Sequence, residues 1–162
     1  MTSMTARHHE IFEAIRDEVV DQLSGVPAGP GADDVTVRVG RGEPEAAVPP
    51  DRAHMGGVLA RMQRFVETGD LGRYREFLHR WVVMRLGEGG SPESVLHGVA
   101  AIGDTVIRVA HERSGDRHDL ATFCREVARA SFWATRLTVE VLVDQLDRLE
   151  REHRELVEAG GV

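Results

Sequence analysis

The residues of this chain that could do chemistry are eight histidines, one cysteine, a few serines and many carboxylates. "EFLH", Glu76 to His79, matches the Glu-x-x-His element of di-iron bundles, which sets a carboxylate and an imidazole on one helix face. That site needs a second such element on another helix together with two further glutamates; the other Glu-x-x-His of the sequence, Glu150 to His153, falls near the end of the last helical stretch, and no such set of four is evident. A haem needs one proximal histidine in an apolar pocket. His79, His97 and His111 fall on helical stretches and are the candidates, His97 standing beside the apolar Leu96. His8 and His9 are adjacent, point in different directions on a helix, and are expected to be solvated. Cys124 lies between Phe123 and Arg125 inside a helical stretch, where a packed thiol is expected rather than a nucleophile with a depressed pKa. No serine lies in G-x-S-x-G, and no catalytic constellation emerges. Neither a catalytic residue nor a metal site is assigned from sequence.

What is missing narrows the chemistry further. All 20 basic residues are Arg, and Lys and Asn are absent, a pattern that codon usage in a GC-rich genome produces. Schiff-base, pyridoxal-phosphate and P-loop chemistry each need a lysine amine and are excluded. One cysteine allows no internal disulfide and no cysteine-based zinc site. The net charge of −7 is uneven: residues 51–113 carry eight acids and nine Arg, while both flanking stretches are acidic. This balance argues against nucleic acid as a partner. "MTSMTARHHE" holds no apolar core of signal-peptide length, and no later stretch approaches a membrane span. A cytoplasmic location without membrane contact is the expectation.

The elements that must position these residues follow from apolar spacing. Ile11, Ile15, Val19 and Leu23 recur four apart and predict a helix over about 5–23. Residues 25–50 form a long loop rich in Gly and Pro, in which "VTVRV" at 35–39 alternates like a short solitary strand. Loops of this length in a compact domain are often functional or mobile. A second helix, about 51–67, buries Met55, Val58, Leu59, Met62 and Val66. A third, about 70–87, buries Leu71, Tyr74, Leu78, Trp81, Val82 and Leu86.

"GEGGSPES", 87–94, then poses a choice between a phosphate loop and a helix junction. A phosphate loop would follow a strand and carry G-x-G-x-x-G or G-K-[ST]; this stretch follows a helix and has neither. Its glycines end one helix, Ser91 is a good N-cap and Pro92 fits the first helical position. Val95, Leu96, Val99, Ile102, Val106 and Val109 continue a fourth helix. Gly98 and Gly103 inside it imply close approach of a neighbouring helix or room for a ligand. The fifth helix, about 116–158, packs through Leu120, Phe123, Val127, Ala130, Ala134, Leu137 and Val141. Trp81, Trp133 and Phe132 are expected as core anchors, or as walls of a small-molecule pocket. Beyond them Leu142, Leu146, Leu149, His153 and Leu156, spaced 4, 3, 4, 3, make a coiled-coil-like seam over 142–158. Asp144/Arg148, Asp147/Arg151 and Glu150/Arg154 flank it as acid-before-base pairs. These five seam residues are the candidate dimer or partner contacts. His153 would make pairing depend on pH, or else is an exposed histidine at a frayed end.

The expected fold is all-α: one domain over 1–162, a globin-like helical bundle of about five helices with a long C-terminal exit helix. With "RWVVMRLGEGGSPESVLHGVAAIGDTVIRV" at 80–109 and the long last helix, residues 51–158 resemble the N-terminal sensory domain of RsbR-type stressosome proteins. The matching residues are Arg85, Gly90, Ser91, Pro92, Glu93 and Leu96. The resemblance implies a globin-like fold without haem, homodimerisation, and a signal passed down the exit helix to a STAS domain. The sequence departs from it in ending at Val162 with no STAS segment and in the loop 25–50. It would then be a stand-alone sensor or adaptor, or a fragment of a longer protein. The expectation is a non-catalytic, dimeric signalling module with a downstream signalling partner and no cofactor. The alternative is a globin-like haem or metal sensor using His79, His97 or His111.

Overall fold

The computed structural model describes residues 4–24, 52–113 and 117–160. They form five helices: α1 (Met4–Leu23), α2 (Arg52–Thr68), α3 (Leu71–Gly87), α4 (Pro92–Arg113) and α5 (Arg117–Gly160). No strand occurs among the described residues, and the fold is all-α as the spacing predicts. The loop expected at 25–50, its strand at 35–39 and the helix break at 114–116 lie outside the described residues.

Local chemistry sets the boundaries. α2 closes where Gly69, at φ +67°, gives its N–H to the Phe65 carbonyl at 2.8 Å; the left-handed conformation suits glycine because it lacks a Cβ. Asp70 then caps α3, its carboxylate accepting the Arg73 N–H at 3.1 Å. Ser91 caps α4 in the same way, accepting the Ser94 N–H at 3.1 Å, with Pro92 first in the helix. The "GEGGSPES" stretch is therefore a helix junction.

The core follows the predicted faces. Every apolar residue expected inward on α2 is buried, as is every one expected on the first half of α5. Ile11, Leu23, Leu71, Leu86 and Leu96 pack at its margin, partly buried. Ile15, Met62, Val82, Val106, Phe123 and Val127 are among the side chains sealed from water. Burying a side chain of this size contributes roughly 1.5–3 kcal/mol.

α4 and α5 make the most extensive pairing, and α1 lies against α2 and α4. The α4–α5 approach is close because Gly103 has no side chain: its face meets Ser131 directly. Around the edge, Arg7 pairs with Asp119, Arg52 with Asp21, Arg113 with Glu18 at 2.6 Å and Arg75 with Glu140 at 3.3 Å.

Two expectations about the core are corrected. His8 is not solvated but buried, its ring edge-on to Phe123 at 5.9 Å, because α1 runs across the start of α5. Phe132 is not a core anchor: it stands 63% exposed, on the side of α5 turned from the bundle. Trp81 is buried as expected, and Trp133 is partly so, with the Arg136 guanidinium 5.2 Å above its ring.

Candidate functional site

The histidines sort by location. His79 on α3 and His97 and His111 on α4 are all exposed. A proximal haem ligand must face an apolar cavity, so the placement of these imidazoles on the outer surface does not fit that role. The histidines that make specific contacts are others. His54 accepts a hydrogen bond from the Trp81 indole N–H at 2.6 Å, joining α2 to α3. His9 lies 2.8 Å from the Gln63 side-chain nitrogen and 3.0 Å from Glu67, joining α1 to α2. Sequence spacing gave no sign of either pairing, because each joins residues more than 25 positions apart. Among the described residues no three His, Cys, Asp or Glu side chains come together as a metal-holding group. Cys124 is half-buried, and burial pushes its thiol pKa up, away from nucleophilic character.

The feature that stands out is the outer face of α5. The helix runs 44 residues, roughly 66 Å at 1.5 Å per residue. Along it Phe132, Val139, Leu146 and His153 fall seven residues apart, and all four are exposed. Leu149, Leu156, Val143 and Val157 flank this line and are exposed as well. The apolar members range from 42% exposed at Val139 to 71% at Leu156. The result is an apolar stripe from Phe132 to Val157, roughly 37 Å long, that no part of the described chain covers.

Four of the five predicted seam residues, Leu146, Leu149, His153 and Leu156, lie on or beside this stripe. The fifth does not: Leu142 is 6% exposed and belongs to the core. At that level α5 still packs on the bundle, so its free face there is carried by Val139 and Val143. A heptad count cannot tell which of two neighbours covers a given leucine. The ion pairs differ too. Arg148, expected to pair back to Asp144, pairs forward with Glu152 at 2.8 Å, and Arg151 donates to the Asp147 backbone carbonyl at 3.1 Å. A guanidinium on a helix reaches either neighbour four residues away, and the longer glutamate meets it.

No helix among the described residues is long and apolar enough to cross a membrane. Comparison of the chain with protein-family models, with curated proteins and with solved structures yields no match.

Proposed function

We propose that the chain is a non-catalytic cytoplasmic signalling module, of the type of the stressosome N-terminal sensory domains, that works as a homodimer. α5 of one copy pairs with α5 of the other in parallel, and the exposed end of the paired helices carries the signal to a downstream protein. The observation that carries this reading is the apolar stripe of α5, running from the bundle onto a segment, residues 143–159, in which no side chain is buried. Monomeric proteins seldom expose a contiguous apolar surface of this length, and such a surface usually marks an interaction site. Parallel pairing sets each residue of the 132–139–146–153 line against its own copy, as seam positions require.

The test is mass in solution. Light scattering and sedimentation across a concentration series are expected to give twice 17.9 kDa for the unmodified chain. Replacing Leu146 and Leu149 together with alanine is expected to give 17.9 kDa with unchanged helix content. Leu142→Ala serves as the contrast: buried in the core, it is expected to lose about 2–5 kcal/mol of fold stability. A monomeric unmodified protein at tens of micromolar, or a double variant that stays dimeric, would overturn the dimer.

A further inference from the structure

The elbow between α2 and α3 gathers positive charge in a chain whose net charge is −7. Arg61, Arg64 and Thr68 recur along one face of α2, and Arg73 and Tyr74 sit in the first turn of α3. The left-handed Gly69 folds the two helices back on each other, and the Phe65 and Tyr74 rings stack at 4.7 Å, 8° from parallel. Between them opens a depression of about 20 Å³ lined by Arg61, Arg64, Arg73, Thr68, Asp70 and Tyr74.

Two features of its lining are unspent. The guanidinium groups of Arg61 and Arg64 make no ion pair or hydrogen bond among the described residues, whereas those of Arg7, Arg52, Arg73, Arg75 and Arg113 do. Tyr74 is 4% exposed as a residue, and its hydroxyl, which makes no hydrogen bond among the described residues, is not itself sealed but reaches solvent where Tyr74 lines the depression. A hydroxyl at the wall of a depression is satisfied by whatever occupies it, water or an anion. The single carboxylate present, Asp70, is already committed, capping the Arg73 N–H and lying 3.4 Å from the Arg73 guanidinium. Thr68 is committed too, donating to the Arg64 carbonyl and accepting the Asp70 N–H. The positive end of the α3 dipole points to the same place.

We propose that this elbow binds one small oxyanion, the phosphate or carboxylate group of a soluble ligand, held by Arg61 and Arg64 with the Tyr74 hydroxyl donating to it. Planar guanidinium groups match the oxygen spacing of both anions. At about 20 Å³ the depression leaves room for no more than one such group at its mouth, and the net negative charge of the chain disfavours polyanions. This goes beyond the signalling reading and stands apart from the dimer.

The experiment is amide NMR of the full chain, titrated with inorganic phosphate and, separately, with acetate, at constant ionic strength set with sodium chloride. Saturable shifts confined to the elbow, around Gly69 and Gly72, are expected, with half-saturation on the order of 1 mM. Saturation by phosphate assigns a phosphoryl ligand; saturation by acetate alone assigns a carboxylate ligand. R61Q/R64Q is expected to raise half-saturation at least tenfold, and Y74F several-fold with the fold intact. Shifts that never saturate, or that survive unchanged in both variants, would overturn the site. The Leu146/Leu149 double alanine variant is expected to bind as the unmodified chain does, so that failure of the dimer and failure of this site read out separately.

Discussion

Alanine at Gly103 is expected to destabilise the protein, and alanine at Gly98, five residues earlier in the same helix, to stabilise it. A Cβ on Gly103 would lie 1.9 Å from the Ser131 hydroxyl oxygen and 2.7 Å from the Ser131 Cβ. Rotating the hydroxyl relieves the first contact at the expense of its 3.0 Å bond to the Val127 carbonyl. The second cannot be relieved that way, because carbon atoms rest about 3.5–4.0 Å apart. α4 and α5, the most extensively paired of the described helices, must move apart by roughly 1 Å. Such overpacking costs about 1–3 kcal/mol. Exchanging a mid-helix glycine for alanine returns about 1 kcal/mol, which leaves a net loss of up to about 2 kcal/mol. At Gly98 the nearest atom to an added Cβ is the far edge of Trp81 at 4.0 Å, an ordinary contact. There the gain of about 1 kcal/mol stands alone. For a chain of this length 1 kcal/mol moves Tm by about 2–4 °C. Gly98→Ala should therefore melt above the unmodified protein and Gly103→Ala below it. Urea unfolding followed by circular dichroism measures both, and a cycle with Ser131→Gly isolates the contact. A stabilising Gly103→Ala, or no coupling between positions 103 and 131, would refute the packing argument.

Two further predictions use buried polar groups. Thr138 is sealed from water, and its hydroxyl has no hydrogen-bond partner among the described residues. Thr138→Val removes that cost and should stabilise by about 1 kcal/mol; an unchanged or lower urea midpoint would contradict it. Tyr74 is the only tyrosine, and burial raises its phenol pKa well above the ordinary 10.0. The folded state then holds its proton where the unfolded chain releases it, so this contribution to stability is complete below about pH 10 and is lost as pH rises. Tyrosinate absorbance should appear together with the loss of helix in an alkaline titration; tyrosinate in a fully helical protein near pH 10 would be inconsistent with this environment.

The helices were legible because their information is local. Apolar residues recur every three or four positions, Gly69 and Gly89 sit where the chain must turn, and Asp70 and Ser91 are capping residues in the right places. What the sequence left open was which surface meets which. Leu142 and Leu146 share one heptad pattern, yet one is core and the other bare, because the bundle ends between them. His8 and His9 differ by a single position, and only the path of α1 over Phe123 makes one buried and the other exposed. Aromatic character alone points Phe132 inward, but its place in the helical turn faces it outward. The elbow cluster leaves no motif at all. Arg61, Arg64 and Arg73 belong to two helices, and only the turn at Gly69 brings their charges together.

The strength of the proposed dimer depends on how far up α5 the contact reaches. Isolated helices shorter than about 12–15 residues are marginal in water, and the segment after Leu142 is only slightly longer. Exposed pairs such as Arg148–Glu152 add little, because solvent screens them. Leu146, Leu149, Leu156 and Val157 contribute nothing to that segment in a single copy, since they face water. In a pair, each fully buried side chain of this kind contributes roughly 1.5–3 kcal/mol. Eight such side chains, already partly covered on their own helix, give on the order of 10 kcal/mol against an association cost of about 4–15. The exit segment alone therefore sits near break-even. Phe132, Val139 and Val143 tip the balance, because they continue the same stripe onto the part of α5 already held straight by the bundle, where contact costs less further ordering. In the proposed dimer the bundle would thus be the rigid base of the contact, which should be anchored there rather than at the free end.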